Sequence, residues 1–515
     1  MCWGIACVVP ACIGPASDPS ATVFFASGAD LQSINSLVAV HPLAKQVQKH
    51  VLFLTLAAYD SALVPVPRLA RWSWSRGRTR LMLQLRDDVY WHDSVKTTSS
   101  DVAWTLEMAM RPAVAYPRRR DLDAVASVEV LDSFSLALNF NHSQPVFPDV
   151  FTDLAILPAH RFEGVAPEQI RNSEFNRRPV GNGPFEFVEY IPNQRWVFRR
   201  SQSFPSDLGQ ANIDRFVVVV VDESVTKLAA LTSGELDFAG INPAHATFVN
   251  DNPELQVLDY PLLFSYALVL NLRRNPFSVR QIREAISLAI DRQTIVEAYV
   301  YGYGTPAEGP VPHEHPYYTP VGDVTFDPDA ARAILDGLGW LPGVNGIRER
   351  DGRKLEFTIL TVGTADNALE QLLQEQLRKV GIGVSIRQRE LGAFLDIAQS
   401  PARDFDALVT GVPGLLSLSQ IAAMFEGDGP LAYPGYAGSD FSRVAAAAAE
   451  ATAEVELEEA WHAAQAVLTR DIPTVWLYHA RGVQGMNRRV AGVRMDLRGE
   501  LAGIASWYVG GERRH

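Results

Sequence analysis

The side chains best suited to metal chemistry are His313, Glu314 and His315. Two imidazoles and a carboxylate are common ligands of zinc and other transition metals. The three residues lie in the segment 302–320, which contains five prolines, at positions 306, 310, 312, 316 and 320. This composition indicates a long loop, which we expect to be exposed and mobile. We therefore predict no metal site there.

A second candidate for chemistry is the adjacent pair His92 and Asp93, which has the residue types of an acid and a base. The stretch before it, LQLRDDVYW, alternates apolar and polar residues as a half-buried strand does. After the pair, Thr98 begins a Ser/Thr run that ends at Asp101, which predicts a helix start. Neighbouring side chains at the end of a strand point apart, so we interpret the pair as part of a turn.

Nucleophilic and cofactor chemistry has no positive support in the sequence. The three cysteines are at positions 2, 7 and 12, so residues 13–515 offer no disulfide, thiolate nucleophile or cysteine zinc site. The chain also lacks the G-x-S-x-G, H-E-x-x-H, P-loop lysine and G-x-G-x-x-G motifs. We predict a protein that is not an enzyme and that needs no cofactor.

Length, composition and charge indicate a large acidic globular protein. The chain has 515 residues, 47% of them hydrophobic and 20% charged, which is enough for two or three lobes with their own cores. A nucleic-acid partner would require a basic face, and the net charge of −13 opposes it. The same charge opposes binding to anionic lipid through the protein surface.

The first 17 residues carry no charge and are mostly small or apolar. This run is shorter than the roughly 20 apolar residues that span a bilayer, and it resembles the end of a secretory signal. Residues 9–12, VPAC, resemble a bacterial lipobox, in which the cysteine becomes the lipidated first residue of the mature protein. We expect lipidation at Cys12, a signal and linker over residues 1–20, and an extracytoplasmic location, in the periplasm or at the cell surface.

Strands and helices alternate along the rest of the chain, which indicates a mixed α/β fold. Residues 216–221, FVVVVV, have the continuous β-branched character of a strand covered on both faces. We predict one amphipathic helix over 283–300 and one long helix, rich in Ala and Glu, over 441–468.

Several passages together resemble the extracytoplasmic solute-binding proteins of family 5, which serve peptide and nickel ABC importers. The resemblance is carried by the strand, His-Asp turn and Thr-capped helix of 83–106, by RPVGNGPF at 178–185, by SGELD at 233–237, by NLRRNPFSVRQIREAISLAIDR at 271–292, by KVGI at 379–382 and by the strand at 473–478. These passages follow the order of the family and cover nearly all of the chain after residue 20.

The resemblance implies a periplasmic-binding-protein-like fold, in which two α/β lobes surround a hinged ligand cleft and an extra lobe is inserted. Lobe I would comprise residues 21–64, 179–260 and 484–515, the inserted lobe II residues 65–178, and lobe III residues 261–483. The ligand would lie between lobes I and III, which would close on it by a hinge motion.

By position in the resemblance, residues of both lobes would contact the ligand. The expected contacts are Ser27, Gly28, Asp30, Asn242, Tyr266, Thr410, Gly411, Val412, Gly414, Trp476 and Tyr478. Tyrosine and tryptophan suit such a cleft because each pairs an apolar face with a polar tip, and backbone groups of 410–414 would bind an extended ligand. The alternative is that the aromatic residues belong to the core and that Asp30 serves a turn.

The main departure from the family follows Asp404, Phe405 and Asp406. Peptide-binding members carry there a Trp-containing segment with an Asp that pairs with the free amine of the peptide, whereas residues 407–417 contain neither an acid nor a Trp. A buried ammonium without a carboxylate is costly, so the amine is either anchored elsewhere or absent. Two ligand classes stay open: an oligopeptide or similar polar solute, and an amine-free solute such as an oligosaccharide.

We predict a monomeric substrate-binding component of an ABC importer, which captures its ligand and delivers it to a permease with ATPase subunits on other chains. A ligand-sensing receptor on the same fold is the alternative. Asp88 and Ser94 stand where the family has glycine in the strand and turn, and we expect the turn to survive.

Overall fold

The computed structural model describes residues 21–39, 41–322, 325–363, 367–414, 418–429 and 431–510, except the side chains of 419 and 420. Cys12 and the expected signal and linker lie outside these residues. None of the described helices is both long and apolar enough to cross a membrane. The helices, in chain order, are α1 Pro42–Val47, α2 Ser99–Met110, α3 Val150–Asp153, α4 Ser224–Ser233, α5 Ala246–Asn250, α6 Arg280–Leu288, α7 Arg292–Ala298, α8 Pro328–Gly337, α9 Ala368–Arg378, α10 Leu391–Gln399, α11 Ser419–Phe425, α12 Ser439–Glu450 and α13 Glu454–Asp471.

The strands have eight residues or fewer, except for two long strands of 16 and 14 residues. They are, in chain order, β1 Thr22–Ser27, β2 Ala57–Tyr59, β3 Pro65–Pro67, β4 Ala70–Trp74, β5 Arg80–Leu85, β6 Val125–Asp132, β7 Ser135–Phe140, β8 Phe185–Ile191, β9 Arg195–Arg200, β10 Arg215–Val220, β11 Phe238–Gly240, β12 Leu255–Leu270, β13 Gly304–Pro306, β14 Leu341–Pro342, β15 Arg348–Arg350, β16 Arg353–Lys354, β17 Glu356–Val362, β18 Gly383–Arg389, β19 Ala407–Pro413, β20 Thr474–Asn487, β21 Val490–Ala491 and β22 Tyr508–Val509.

One large mixed sheet organises the molecule. Its strand order is β18-β17-β19-β12-β20-β11-β1-β10-β9-β8, and β13 pairs with β20 beside this path. β1 and β10 are parallel, as are β17 and β18, whereas the long strands β12 and β20 are antiparallel to each other. A separate four-stranded sheet has the order β4-β5-β7-β6. The predicted mixed α/β class is confirmed.

Hydrophobic packing divides the described chain into two bodies. In the first body, residues 21–260 and 482–510, one large cluster runs from Val23 to Trp507 and a smaller one contains Leu231. In the second body, residues 261–481, one cluster contains Leu268 and another contains Val269, as expected for a strand that is covered on both faces. The predicted lobes I and II share the core of the first body, and the lobe boundaries stay a prediction.

The chain passes between the bodies along β12 and β20. Their pairing is regular as far as Pro261 opposite Arg481 and resumes at Ser265 opposite His479. Four steps along β12 therefore match two steps along β20, which is a bulge that bends the strand. This irregular stretch lies at the junction of the two bodies, and a second shift in register follows between Tyr266 and Ala267.

Arg481 connects this junction to the proline-rich loop. Its Nε donates to Oδ1 of Asp259 at 2.6 Å, and its Nη1 lies 3.5 Å from Oε1 of Glu314. Asp259 lies on β12 and Glu314 lies in the loop 302–320, so one guanidinium joins both crossing strands to that loop.

The glycine turn at 181–183 returns the chain from the segment 65–178. A Cβ atom at Gly181 would overlap the backbone oxygen of Leu52, and one at Gly183 would lie 2.6 Å from the carbonyl carbon of Leu52. Between them, the side chain of Asn182 accepts the N–H of Leu54 at 2.9 Å. The turn therefore packs so closely on residues 52–54 that it requires glycine on both sides of the asparagine.

Two predicted helices are each two helices in the structure. The predicted helix 283–300 is replaced by α6 and α7, because the side chain of Asp291 accepts the N–H of Thr294 at 3.0 Å and begins a new helix. The predicted helix 441–468 is replaced by α12 and α13, because the carboxylate of Glu456 accepts the N–H of Thr452 at 2.7 Å. In both places a local side-chain bond to the backbone competes with helix continuation.

Candidate functional site

A cavity of about 1200 Å³ lies between the first body and the second body. It exceeds the roughly 300–1,000 Å³ of small-molecule pockets, so it has room for an extended ligand. The first body contributes residues from β2 to the start of α3, and the second body contributes the loop 302–320 and the helices α11, α12 and α13.

Aromatic side chains form much of the first-body wall. Trp72 and Trp74 lie two residues apart on β4, so both point to the same face of the strand, and both are half-buried. The ring centroid of Trp72 lies 4.3 Å from that of Phe147, and the guanidinium of Arg78 lies 4.8 Å from the ring centroid of Trp74. These contacts hold the two indoles in place as an apolar surface.

A cluster of buried charges lies in the same wall. The side chain of Arg118 is 8% exposed and lies 2.5 Å from Asp121, 2.8 Å from Asp149 and 3.4 Å from Asp153. Although burial acts in the opposite direction, these carboxylates raise the pKa of Arg118 well above its usual value. Burial raises the pKa of Asp149. Asp121 and Asp149 line the cavity, and both are ion-paired to Arg118.

The second-body wall combines small, aromatic and acidic residues. Ala445 and Ala448 of α12 line the cavity, so the helix itself lies close to the enclosed space. Tyr317 stacks on Trp461 with ring centroids 5.6 Å apart and reaches the cavity from the proline-rich loop. The acidic members of this wall are Glu426, Glu454 and Glu458.

Five of the expected ligand contacts lie together on neighbouring strands of the second body. Tyr266 on β12 pairs with Gly411 on one side and with Tyr478 on the other. The rings of Tyr266 and Tyr478 stack with centroids 4.9 Å apart, and burial raises the pKa of Tyr266. Thr410 and Val412 flank Gly411 on β19.

Two of the aromatic residues expected to contact the ligand lie in the hydrophobic core. Trp476 is 5% exposed and Tyr478 is 3% exposed, and each packs within a hydrophobic cluster of the second body. Gly414, which follows β19, donates its N–H to the carbonyl of Leu263 at 2.7 Å.

The carboxylate of Asp30 accepts four hydrogen bonds from other residues of the protein. Its Oδ2 accepts the hydroxyl of Tyr190 at 2.6 Å and the N–H of Asn193 at 2.8 Å. Its Oδ1 accepts the indole N–H of Trp196 at 3.0 Å and the N–H of Gln32 at 3.1 Å. Although burial acts in the opposite direction, these four bonds lower the pKa of Asp30. Asp30 thus joins the loop after β1 to the β8–β9 turn.

The other expected contacts in the first body also bond locally. The hydroxyl of Ser27 donates to the carbonyl of Ala29 at 2.5 Å, and Gly28 is exposed between them. The side chain of Asn242 accepts the N–H of Ala244 at 3.0 Å and begins a short 3₁₀ helix.

None of the eleven expected contacts lines the cavity. Their role in ligand binding stays a prediction, and we take the cavity as the candidate site because it combines a large space between the bodies, an aromatic surface and several polar groups. The sequence signal for it was Trp72-Ser73-Trp74, two large aromatic residues on one face of a short strand.

A buried carboxylate near the tyrosine pair was not expected from the sequence. Glu370 is 6% exposed and accepts the hydroxyl of Thr361 at 2.6 Å. After burial, its charge is the second cause that raises the pKa of Tyr266. The available signal was its place on α9, where Leu373 and Leu377 follow on the same buried face.

The proline-rich loop is less exposed than expected. His315 is 4% exposed, and its ring centroid lies 4.8 Å from that of Trp461. Only His313 of the three candidate metal ligands is exposed, so the expectation of an exposed segment is wrong at His315. Across the described ranges, no three His, Cys, Asp or Glu side chains are grouped to hold a metal ion.

The interpretation of His92 and Asp93 as part of a turn is confirmed. Nε2 of His92 lies 3.0 Å from the carbonyl of Gly183, whereas Asp93 lies 2.8 Å from Nε2 of His160. Ser94 has a φ of 71° and closes the turn, and a capping box begins α2. The two side chains therefore bind different partners and do not act as a dyad.

A buried histidine at the junction makes stability depend on pH. His479 is 2% exposed, and its Nδ1 lies 2.7 Å from the hydroxyl oxygen of Ser265. Burial, and then the charge of His313, lowers the pKa of His479 from 6.5 to about 3. The unfolded chain therefore binds a proton near pH 6.5 that the native state does not bind, so the stabilisation is complete above this pH and is lost below it.

Below about pH 6.5, we expect the free energy of unfolding to fall more steeply in the protein than in the variant His479→Gln. The difference between the two slopes is expected to be about 1.4 kcal/mol per pH unit. Urea unfolding of both proteins between about pH 7.5 and about pH 5 measures this difference. Parallel pH profiles of the two proteins would contradict the burial of a neutral imidazole at this position.

Comparison with known proteins places this chain in a family. Residues 64–417 match the family described as Bacterial extracellular solute-binding proteins, family 5 Middle. The chain is 24% identical to the oligopeptide-binding protein AppA of Bacillus subtilis over 443 residues, which are 83% of this chain and 80% of AppA.

Two solved structures share the fold. The structure of Bacillus subtilis AppA in complex with a nonapeptide has a TM-score of 0.82 and 22% identity, and the match covers 95% of this chain and 99% of that chain. The structure of NikZ from Campylobacter jejuni in complex with Ni(L-His) has a TM-score of 0.83 and 21% identity, with 95% and 100% covered. The family match spans more than half of the chain, and the resemblance noted in the sequence is confirmed. The chain belongs to the bacterial extracellular solute-binding proteins, family 5.

Proposed function

We propose that the chain is the substrate-binding component of an ABC importer and that it binds its solute in the cavity between the two bodies. The cavity of about 1200 Å³ at a junction crossed by β12 and β20 carries this proposal. Rotation about these strands would open and close the cavity. A ligand that makes better contacts in the closed state shifts the population toward it.

The ligand in this proposal is an oligopeptide or a polar solute of similar size. The size of the cavity and its aromatic wall support this class. AppA is named an oligopeptide-binding protein, and its structure contains a nonapeptide, whereas NikZ holds Ni(L-His). The size of the cavity and the printed ligand of AppA are the grounds on which we favour the peptide.

The location and the partners follow from the same proposal. The protein would work outside the cytoplasmic membrane as a monomer, attached through a lipid on Cys12, and would deliver the solute to a permease with ATPase subunits on other chains. The VPAC sequence at 9–12 and the extracellular character of the family support this arrangement.

The variant Trp72→Leu is expected to reduce retention of the co-purifying solute by about 30-fold, because a tryptophan that the ligand covers at a binding surface contributes about 2 kcal/mol. Native mass spectrometry of the chain purified without denaturation measures the occupied fraction and identifies the solute.

The matched control is Trp104→Leu, which removes a half-buried tryptophan of the same body that packs on Phe162 away from the cavity. Equal retention by the protein and by Trp72→Leu would place the ligand elsewhere. Chemical conversion of the solute during incubation would overturn the receptor function itself.

A further inference from the structure

Two Asn-Gly pairs occur in the chain, Asn182-Gly183 and Asn345-Gly346. Such a pair can lose the side-chain amide without an enzyme, because glycine has no Cβ and leaves its backbone nitrogen open to the carbonyl carbon of the preceding side chain. The reaction also requires that the backbone rotate until these two atoms meet. The two pairs are alike in sequence, whereas the structure places them in opposite environments.

The pair at 345–346 lies at the tip of the hairpin between β14 and β15. Val344, Asn345 and Gly346 are all exposed, and a Cβ at Gly346 would meet no atom within 4 Å. Among the residues that the structure describes, none bonds to the side chain of Asn345. The N–H of Gly346 donates to the carbonyl of Gly343 at 3.1 Å, and the N–H of Gly343 donates to the carbonyl of Ile347 at 3.0 Å. Opening this turn therefore breaks only two exposed backbone bonds.

The pair at 182–183 is held in the buried turn of the first body. Asn182 is 1% exposed, its Oδ1 accepts the N–H of Leu54 at 2.9 Å, and its Nδ2 donates to Oγ1 of Thr97 at 3.3 Å. The N–H of Gly183 donates to the carbonyl of Leu52 at 2.8 Å. Both reacting groups thus have partners, and the close packing on Leu52 leaves the backbone no room to rotate.

We propose that Asn345 is a site of spontaneous deamidation in the folded protein and that the fold protects Asn182. The backbone nitrogen of Gly346 attacks the side-chain carbonyl carbon of Asn345 and forms a five-membered succinimide ring. The bond from that carbon to the side-chain nitrogen breaks, and this nitrogen leaves as ammonia with the amide proton. Water then opens the ring at either carbonyl, which gives aspartate or isoaspartate at position 345. This inference does not depend on the proposed function.

Either product changes the tip of the hairpin. Both add a carboxylate to a turn where the side chain of Glu349 already lies beside Gly343, and like charges repel. Isoaspartate also inserts a methylene group into the backbone between residues 345 and 346, which shifts Gly343 relative to Ile347 and weakens the bond between them. We therefore expect deamidation to open the turn.

The base of the hairpin is held independently of its tip. Arg348 is 3% exposed, and its guanidinium donates to the carbonyl of Val380 at 2.8 Å and to that of Trp340 at 2.6 Å. Trp340 also packs on a hydrophobic cluster of the second body. The change is therefore expected to stay local, with faster hydrogen exchange in 341–347 and the same denaturant midpoint for the whole chain.

The test follows both asparagines of the full chain by peptide mapping with mass spectrometry. The chain is incubated at mildly alkaline pH, with and without a denaturing concentration of guanidinium chloride. In the native chain, we expect position 345 to react at least about a hundredfold faster than position 182, because the buried turn opens in only a small fraction of molecules. In guanidinium chloride, the two positions are expected to react at similar rates.

The variant Asn345→Gln is the matched control, since glutamine would have to close a larger ring. Position 345 should then stay unchanged during the same incubation, and the hydrogen exchange of 341–347 should stay slow. Equal rates at the two positions in the native chain would overturn the protection of Asn182. If position 345 reacts in guanidinium chloride but not in the native chain, the closed turn protects it and the inference is wrong.

Discussion

Replacing Arg489 with alanine is expected to lower the free energy of unfolding by about 3–5 kcal/mol, because it leaves a buried carboxylate without its partner. Asp237 is 1% exposed, and its two oxygens lie 2.6 Å from Nε and 2.6 Å from Nη2 of Arg489. Oδ2 of Asp237 also accepts the N–H of Phe24 at 2.8 Å. The pair therefore joins β1, the start of β11 and the segment after β20. Urea denaturation gives the change in midpoint and slope.

The control for this prediction is Arg488→Ala, the neighbouring residue, which is exposed and contacts only the side-chain oxygen of Gln256, at 3.0 Å, among its side-chain bonds in the described structure. It is expected to change stability by less than about 0.5 kcal/mol. The double variant Asp237→Asn/Arg489→Met should recover part of the loss, since it removes both charges. Similar losses in Arg488→Ala and Arg489→Ala would show that the bidentate pair is not responsible.

The second large effect is expected at the glycine turn. The variant Gly181→Ala should lower the free energy of unfolding by about 3 kcal/mol, at the upper end of the usual range for overpacking. The added Cβ would overlap the backbone oxygen of Leu52, and backbone cannot move aside as a flexible side chain can. The displacement would also disturb the bond from the N–H of His92 to the carbonyl of Gly181, at 2.7 Å. Thermal and urea unfolding both report the change.

Gly337→Ala serves as the matched control. A Cβ at Gly337, the last residue of α8, would meet no atom within 4 Å. The expected effect is neutral or slightly stabilising, since alanine is about 1 kcal/mol better than glycine inside a helix. A loss at Gly337 equal to that at Gly181 would mean that crowding against Leu52 does not account for the effect.

The features predicted from sequence were those that short-range chemistry decides. The turn at Ser94 and the helix start at Thr98 and Asp101 depend on residues within one stretch, and all are present. The prediction of two long helices was wrong because the carboxylates of Asp291 and Glu456 each accept a backbone N–H and begin a new helix. Residue composition does not reveal such a hydrogen bond.

The cavity was not predicted because no local stretch contains it. Trp72 belongs to a short strand, Tyr317 to a loop and Ala445 to a helix. They line one cavity only because the two bodies meet there in the folded chain. The expected contacts were assigned by matching this chain to the family pattern. Such a match locates the ends of strands, but it does not show which residues face the space between the two bodies.

The proline-rich loop makes the cavity and the junction one mechanical unit. Tyr317 of this loop forms part of the cavity wall, and Glu314, three residues earlier, lies 3.5 Å from the guanidinium of Arg481 between the crossing strands. A solute that displaces Tyr317 would therefore act only three residues from the contact of Glu314 with Arg481 at the junction. If the proposed solute binds in the cavity, linkage is reciprocal: a partner that favours the closed arrangement of the junction would raise the affinity for the solute, and a partner that opens the junction would lower it.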